Sequence, residues 1–123
     1  HGCDHSDEIT ISGATSVFEI KGGQINSYEI QPEDFGLTRS SLSEVKGGTP
    51  ADNKKAIIEI FEGKKGAARD MILLNAAASI YIGQAADSIR EALRMAEEAI
   101  DQGLVLAKIA QLRSFRHIER MEA

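Results

Sequence analysis

The stretch Ala67-Ala68-Arg69-Asp70-Met71-Ile72-Leu73-Leu74-Asn75-Ala76-Ala77-Ala78-Ser79-Ile80-Tyr81-Ile82 decides how this chain folds. Its apolar residues cover nearly every face at helical spacing, which predicts a helix buried at the centre of a domain. Such a helix needs partners, and three further segments read as helical. Thr49 as N-cap, Pro50 as first helical residue and Asp52 in the first turn predict a helix to about Phe61, ending before Gly63. Ser88 followed three residues later by Glu91 marks another start, with Ile89, Ala92, Leu93, Ala96 and Ile100 on one stripe and Gly103 at the C-terminal cap. A last helix is expected over about Leu104 to Arg120, where Arg113, Arg116, His117 and Arg120 complement the helix dipole.

Upstream of these helices the period changes. Asp7 to Ser12 alternates, with Ile9 and Ile11 on one face and Glu8, Thr10 and Ser12 on the other, which predicts a half-buried strand. Thr15 to Ile20 and Gln24 to Ile30 are two more short strands, joined by a hairpin at Lys21-Gly22-Gly23. Between strands and helices, Pro32, Gly36, Gly47, Gly48 and Pro50 punctuate a surface connection with one helical turn near Ser41 to Val45. The organisation is therefore strands over 1–30, a loop region over 31–49 and helices over 50–123. Strands followed by helices ordinarily mean α+β. Three short strands beside an all-round apolar helix need more partner surface than this, so the expected fold class is a piece of a larger α/β domain. The chain opens at His1 with no initiator methionine and no basic or apolar leader, so no signal peptide is expected, and either residues were removed or the chain is a piece of something longer.

Composition narrows the function classes. The chain has 123 residues, 42% of them hydrophobic and 27% charged, as expected of one globular domain rather than a disordered chain. The longest apolar runs, Met71 to Leu74 and Leu104 to Ala107, are far short of the roughly 18–20 residues of a membrane helix. A net charge of -5 argues against nucleic acid or an anionic membrane as the main partner. The single cysteine, Cys3, points to a reducing, cytoplasmic compartment.

The densest group of potential ligands is His1-Gly2-Cys3-Asp4-His5-Ser6-Asp7-Glu8. Asp7 and Glu8 are hard oxygen donors of the kind that hold Mg²⁺ together with substrate phosphates. Neighbours in a strand point to opposite faces, so both reach one ion only if the backbone bends there. The alternative is a solvated acidic pair at a strand end. His1, Cys3 and His5 offer softer donors, but their spacing fits no common zinc pattern, and no base is placed beside Cys3 for nucleophilic chemistry. Lys46-Gly47-Gly48-Thr49 and Gly63-Lys64-Lys65-Gly66 precede helices without phosphate-loop spacing, and loops with helix caps account for both. Arg69 and Asp70 read as structural, paired with each other or with a loop. Asn75, polar in an apolar helix, is expected to tie down a loop backbone.

Several short motifs in fixed order add to this reading. They are His1-Gly2 with Ser6-Asp7-Glu8-Ile9, Ser12-Gly13-Ala14-Thr15, Pro32-Glu33-Asp34-Phe35-Gly36-Leu37, Lys46-Gly47-Gly48, Glu62-Gly63-Lys64-Lys65-Gly66 with Ala68-Arg69-Asp70, and Leu73-Leu74-Asn75-Ala76-Ala77-Ala78. The series, to near Leu112, resembles the C-terminal part of the anthranilate phosphoribosyltransferases of tryptophan biosynthesis. That resemblance implies a nucleoside phosphorylase/phosphoribosyltransferase-like fold. It also implies transfer of phosphoribose from phosphoribosyl pyrophosphate to anthranilate with Mg²⁺, the metal held by an adjacent Asp-Glu at Asp7 and Glu8. It assigns no catalytic residue within the chain. The chain departs from the family at Asp4-His5-Ser6, where Asp-Gly-Leu is usual, and at Ala14 and Ala67, where proline is common. The family's glycine-rich loop, its anthranilate-binding residues and its N-terminal helical domain, which forms the homodimer, all precede the matched region. The isolated chain is thus expected to be inactive. The competing expectation is a stand-alone acidic metal-binding or interaction module without catalysis.

Overall fold

A computed structural model describes the backbone of residues 1–121 and the side chains of residues 1–115. Two antiparallel strands, β1 (Thr15–Lys21) and β2 (Gln24–Ile30), form a hairpin. Two single 3-10 turns follow, at Pro32–Phe35 and at Leu42–Glu44, the second where the sequence predicts a helical turn. Four helices complete the chain: α1 (Pro50–Phe61), α2 (Ala67–Ile82), α3 (Ile89–Asp101) and α4 (Leu104–Met121). The architecture is α/β. The side chains of Arg116, His117 and Arg120 lie outside the described residues.

The helices start at their predicted caps. Thr49 and Asp52 exchange bonds across the first turn of α1, the Asp52 N–H donating to Thr49 Oγ1 and the Thr49 N–H to Asp52 Oδ2. Ser88 caps α3 by accepting from the Glu91 N–H. The Glu91 carboxylate reaches one residue further back than a capping box requires, to the Asp87 N–H. Gly103, at φ 73°, ends α3 in the left-handed conformation that glycine adopts without strain.

The core lies between α2 and α3. Leu73, Leu74 and Ala77 of α2 meet Ala92, Leu93, Ala96 and Ile100 of α3, all buried. The small side chains at 77, 92 and 96 let the two helices approach closely. Helix α2 is less enclosed than its composition predicts: Met71, Ile72, Ala76 and Ile80 are half-buried and Ile82 is exposed. Arg69, almost fully buried, does not pair with Asp70; its Nη2 donates to Asp101 Oδ1 at the far end of α3, 2.7 Å away.

The predicted strand at Asp7 to Ser12 does not form. Only His1–Cys3 runs beside β1, through a bridge between Gly2 and Thr15. Residues 4–14 instead make an irregular loop. Thr10 and Ile11 are both fully buried, so the alternation that predicted a strand does not describe which side chains face inward. The reason is local: the segment's backbone donors are taken by side chains rather than by a neighbouring strand. Thr10 N–H donates to Thr15 Oγ1, Ser12 N–H to Thr10 Oγ1, and Ile9 N–H to Asn75 Oδ1.

The hairpin is inverted relative to ordinary amphipathic pairing. Glu19, Tyr28 and Lys21 lie on its inner face towards the end of α2, where Tyr81 donates to Glu19 Oε1 at 2.5 Å and accepts from Lys21 Nζ at 3.0 Å. Burial and then the Glu19 charge push the Tyr28 phenol above its usual value. The outer face carries Phe18, Ile20 and Ile25, each more than 70% exposed.

Candidate metal site

The loop that replaces the predicted strand is built around Asp4. Its Oδ1 accepts from the Ser6 N–H at 3.0 Å, and its Oδ2 accepts from Thr10 Oγ1 at 2.5 Å and from the Ser12 hydroxyl. Burial raises the pKa of this carboxyl, but the hydrogen bonds from Ser12, Thr10 and Ser6 outweigh it and hold the group well below the usual carboxylate range. Asp4 is therefore a charged structural hub. It gathers donors from three later positions without any periodic signal, which is why the sequence did not single it out.

At His5 the chain turns through φ 71°, the left-handed region that favours glycine, with the His5 N–H donating to Gly2 O. Asp7 and Glu8 follow after Ser6, both exposed. Among the described residues neither carboxylate accepts a hydrogen bond, so their oxygens are free to take other ligands. Beyond them the chain is fixed again: Asn75 Oδ1 accepts from the Ile9 N–H at 3.0 Å, and Asn75 Nδ2 donates to Ile9 O at 2.9 Å. Asn75 thus does tie down a loop backbone, 66 residues away in sequence.

Glu8 forms one wall of a cleft of about 560 Å³. The Lys46-Gly47-Gly48 loop and the start of α1 form a second wall, and Met71, Ile72 and Asn75 of α2 form the floor. Asp7 stands beside the cleft but does not line it. The donor set suits a hard divalent cation with its remaining positions given to water or phosphate oxygen. No three His, Cys, Asp or Glu side chains converge among the described residues, so an ion held by Asp7 and Glu8 would take its other ligands from water or phosphate. Cys3 is exposed and unpaired. Of the two glycine-flanked loops, Lys46-Gly47-Gly48 borders the cleft, while Lys64 and Lys65 pair with Glu59 and Asp101. Among the described residues no helix is long and apolar enough to cross a membrane.

Residues 1–106 match the glycosyl transferase family, a/b domain. The chain belongs to that family. Among its relatives, the anthranilate phosphoribosyltransferase of Methanosarcina mazei is 46% identical over 115 residues, covering 94% of this chain and 31% of the relative. That of Desulfitobacterium hafniense is 42% identical over 113 residues, covering 92% of this chain and 34% of the relative. In structure the chain resembles anthranilate phosphoribosyltransferase from Saccharomyces cerevisiae in complex with PRPP and Mg, with a TM-score of 0.76 and 27% identity over 86% of this chain and 31% of that one. The enzyme from Thermus thermophilus gives a TM-score of 0.69 and 28% identity, over 80% of this chain and 29% of that one. The chain spans about a third of the length of the relatives it matches. The family membership and the fold expected from the ordered motifs are both borne out. These relatives do not support the reading as a stand-alone binding module.

Proposed function

We propose that this chain is the C-terminal part of an anthranilate phosphoribosyltransferase of tryptophan biosynthesis. In it, Asp7 and Glu8 hold Mg²⁺ against the pyrophosphate of phosphoribosyl pyrophosphate while phosphoribose passes to the amino group of anthranilate. The observation that carries the reading is the continuity of the match, 94% of the chain against one third of an enzyme with 46% identity. The free carboxylates, Glu8 on the cleft wall and Asp7 next to it in the chain, support the site assignment, and a yeast relative solved with PRPP and Mg supports the cofactor.

When bound, Mg²⁺ neutralises charge on a departing pyrophosphate and so stabilises the leaving group at the ribose anomeric carbon. The chain's own residues would hold the cation that meets that charge. Asp7 and Glu8 present oxygen ligands from a loop held on both flanks, and Glu8 faces a cleft large enough for phosphate groups. Orientation of the amine and of the ribose falls to the preceding two thirds of the enzyme, which by the resemblance carries the glycine-rich loop, the anthranilate site and the helical domain of the homodimer. Proper orientation supplies roughly 7–11 kcal/mol of barrier reduction, so the chain alone has no measurable transferase activity. The cytoplasm, a reducing compartment, suits the free thiol of Cys3.

A hybrid enzyme tests this. With the first two thirds of the Methanosarcina mazei relative joined ahead of this chain, Mg²⁺-dependent consumption of anthranilate and phosphoribosyl pyrophosphate is expected. A folded hybrid dimer that binds both substrates and forms no product contradicts the proposal.

A further inference from the structure

The two carboxylates of the cation site are held by their neighbours rather than by contacts of their own. On one flank the Ser6 N–H donates to Asp4 Oδ1 at 3.0 Å and Ser6 O accepts from the Gly2 N–H at 2.9 Å. On the other flank both polar groups of the Ile9 peptide bond to one side chain, Asn75, at 3.0 and 2.9 Å. Asn75 is itself fixed, since its Nδ2 also donates to Met71 O one turn earlier in α2. The dipeptide Asp7-Glu8 is thus bracketed between two immobilised peptides while its side chains remain free. This is the arrangement expected of a preorganised ligand pair: the ordering cost of the backbone is met by folding and not by ion capture.

We propose that Asn75 is a positioning residue for the cation site, its amide holding the Ile9 peptide so that the Asp7 and Glu8 carboxylates converge on one ion. This rests on the reading of Asp7 and Glu8 as the Mg²⁺ ligands. Asn75 lines the cleft floor, but its amide groups are taken by Ile9 and Met71, so it acts through the backbone next to Glu8. An apolar residue at 75 would suit α2 packing, so the two bonds to Ile9 give the position its need for an amide. Without them the Ile9 N–H and C=O lose their partners in a half-buried setting, and the loop finds another backbone path to satisfy them.

The test uses the 123-residue chain, with Mn²⁺ plus inorganic pyrophosphate as the probe and paramagnetic broadening of backbone amide resonances as the readout. In the unsubstituted chain, Mn²⁺ broadens the amides of residues 6–9, and Asp7→Asn with Glu8→Gln removes that broadening. Asn75→Ala and Asn75→Leu raise the Mn²⁺ concentration for half-maximal broadening by roughly tenfold, the scale of two hydrogen bonds partly compensated by water. Helical circular dichroism at the same temperature stays unchanged. A merely structural Asn75 lowers the unfolding midpoint and leaves the half-maximal Mn²⁺ concentration where it was, and that result overturns the inference while the cation site stands. No broadening in the unsubstituted chain overturns the cation site and this inference together. If both variants unfold, hydrogen exchange of the Ile9 amide in the unsubstituted chain without metal decides. Slow exchange supports a preorganised loop, and exchange slowed only by diamagnetic Mg²⁺ and pyrophosphate contradicts it.

Discussion

Replacing Ile11 by alanine probes whether the loop bearing the carboxylate pair is part of the fold. Ile11 is fully buried and is the one residue of that loop inside the core cluster, with Leu73, Leu74 and Ala77 of α2. The substitution removes three carbon groups, worth about 2–2.5 kcal/mol at about 0.8 kcal/mol each. The cavity left against two rigid helices adds to this, for a total of about 3–4 kcal/mol. Ile11→Val removes one group and costs about 1 kcal/mol. Small domains have only about 5–15 kcal/mol to lose, so the alanine variant sits close to the limit of folding. Urea unfolding followed by helical circular dichroism measures both, and a common m-value shows that the same transition is being read. A loss below about 1 kcal/mol for Ile11→Ala, equal to that of Ile11→Val, would refute the packing of this loop on α2.

Three further outcomes follow from the same loop and from the hairpin. Hydrogen bonds to Asp4 hold its carboxyl below the usual range, so its contribution to stability is present above the unfolded value of about 4 and is lost as pH falls through the lower folded value. Urea midpoints of the unsubstituted chain and of Asp4→Asn should therefore differ at neutral pH and converge in acid; a constant gap would contradict the network. His5 sits at φ 71°, so stability should fall in the order glycine, histidine, valine at this position, with Val about 1–2 kcal/mol below His in thermal unfolding. Equal stabilities would mean that the turn is not left-handed. Phe18, Ile20 and Ile25 form an exposed apolar face on the hairpin, so the chain associates as its concentration rises. Phe18→Ser with Ile20→Thr should reduce that association in light scattering, and an unsubstituted chain that stays monomeric throughout would contradict the surface reading.

The helices were legible because their information is local. Thr49 and Asp52, Ser88 and Glu91, and Gly103 each act within a few residues, and the stripe of α3 faces mainly α2. The hairpin was legible for the same reason, at Lys21-Gly22-Gly23. The loop at 4–14 was not, because its hydrogen bonds run to Asp4 and, across 66 residues, to Asn75. Periodicity read Ile9 and Ile11 correctly as inward-facing but had no means of seeing that Asp4 and Thr15 draw Thr10 inward as well. The partial exposure of α2 has a related origin: its composition demands more covering surface than these residues provide. For the site, spacing alone left Asp7 and Glu8 indistinguishable from a solvated acidic pair. The ordered motifs singled them out, and the structure adds the free oxygens, the cleft beside Glu8 and the two fixed flanks.

The most direct test of the magnesium assignment is the rate of phosphoribosyl transfer against Mg²⁺ concentration in the hybrid enzyme, measured for the unsubstituted protein and for Asp7→Asn with Glu8→Gln, with thermal midpoints recorded alongside. Both side chains are exposed and unpartnered, so the midpoints should agree to within about 0.5 kcal/mol of stability. The double variant should require far more Mg²⁺ for half-maximal rate and reach a lower maximum, because the two carboxylates proposed to hold the cation are gone. A double variant that unfolds early yet uses Mg²⁺ normally in its surviving fraction would show that the pair is structural and would contradict the account.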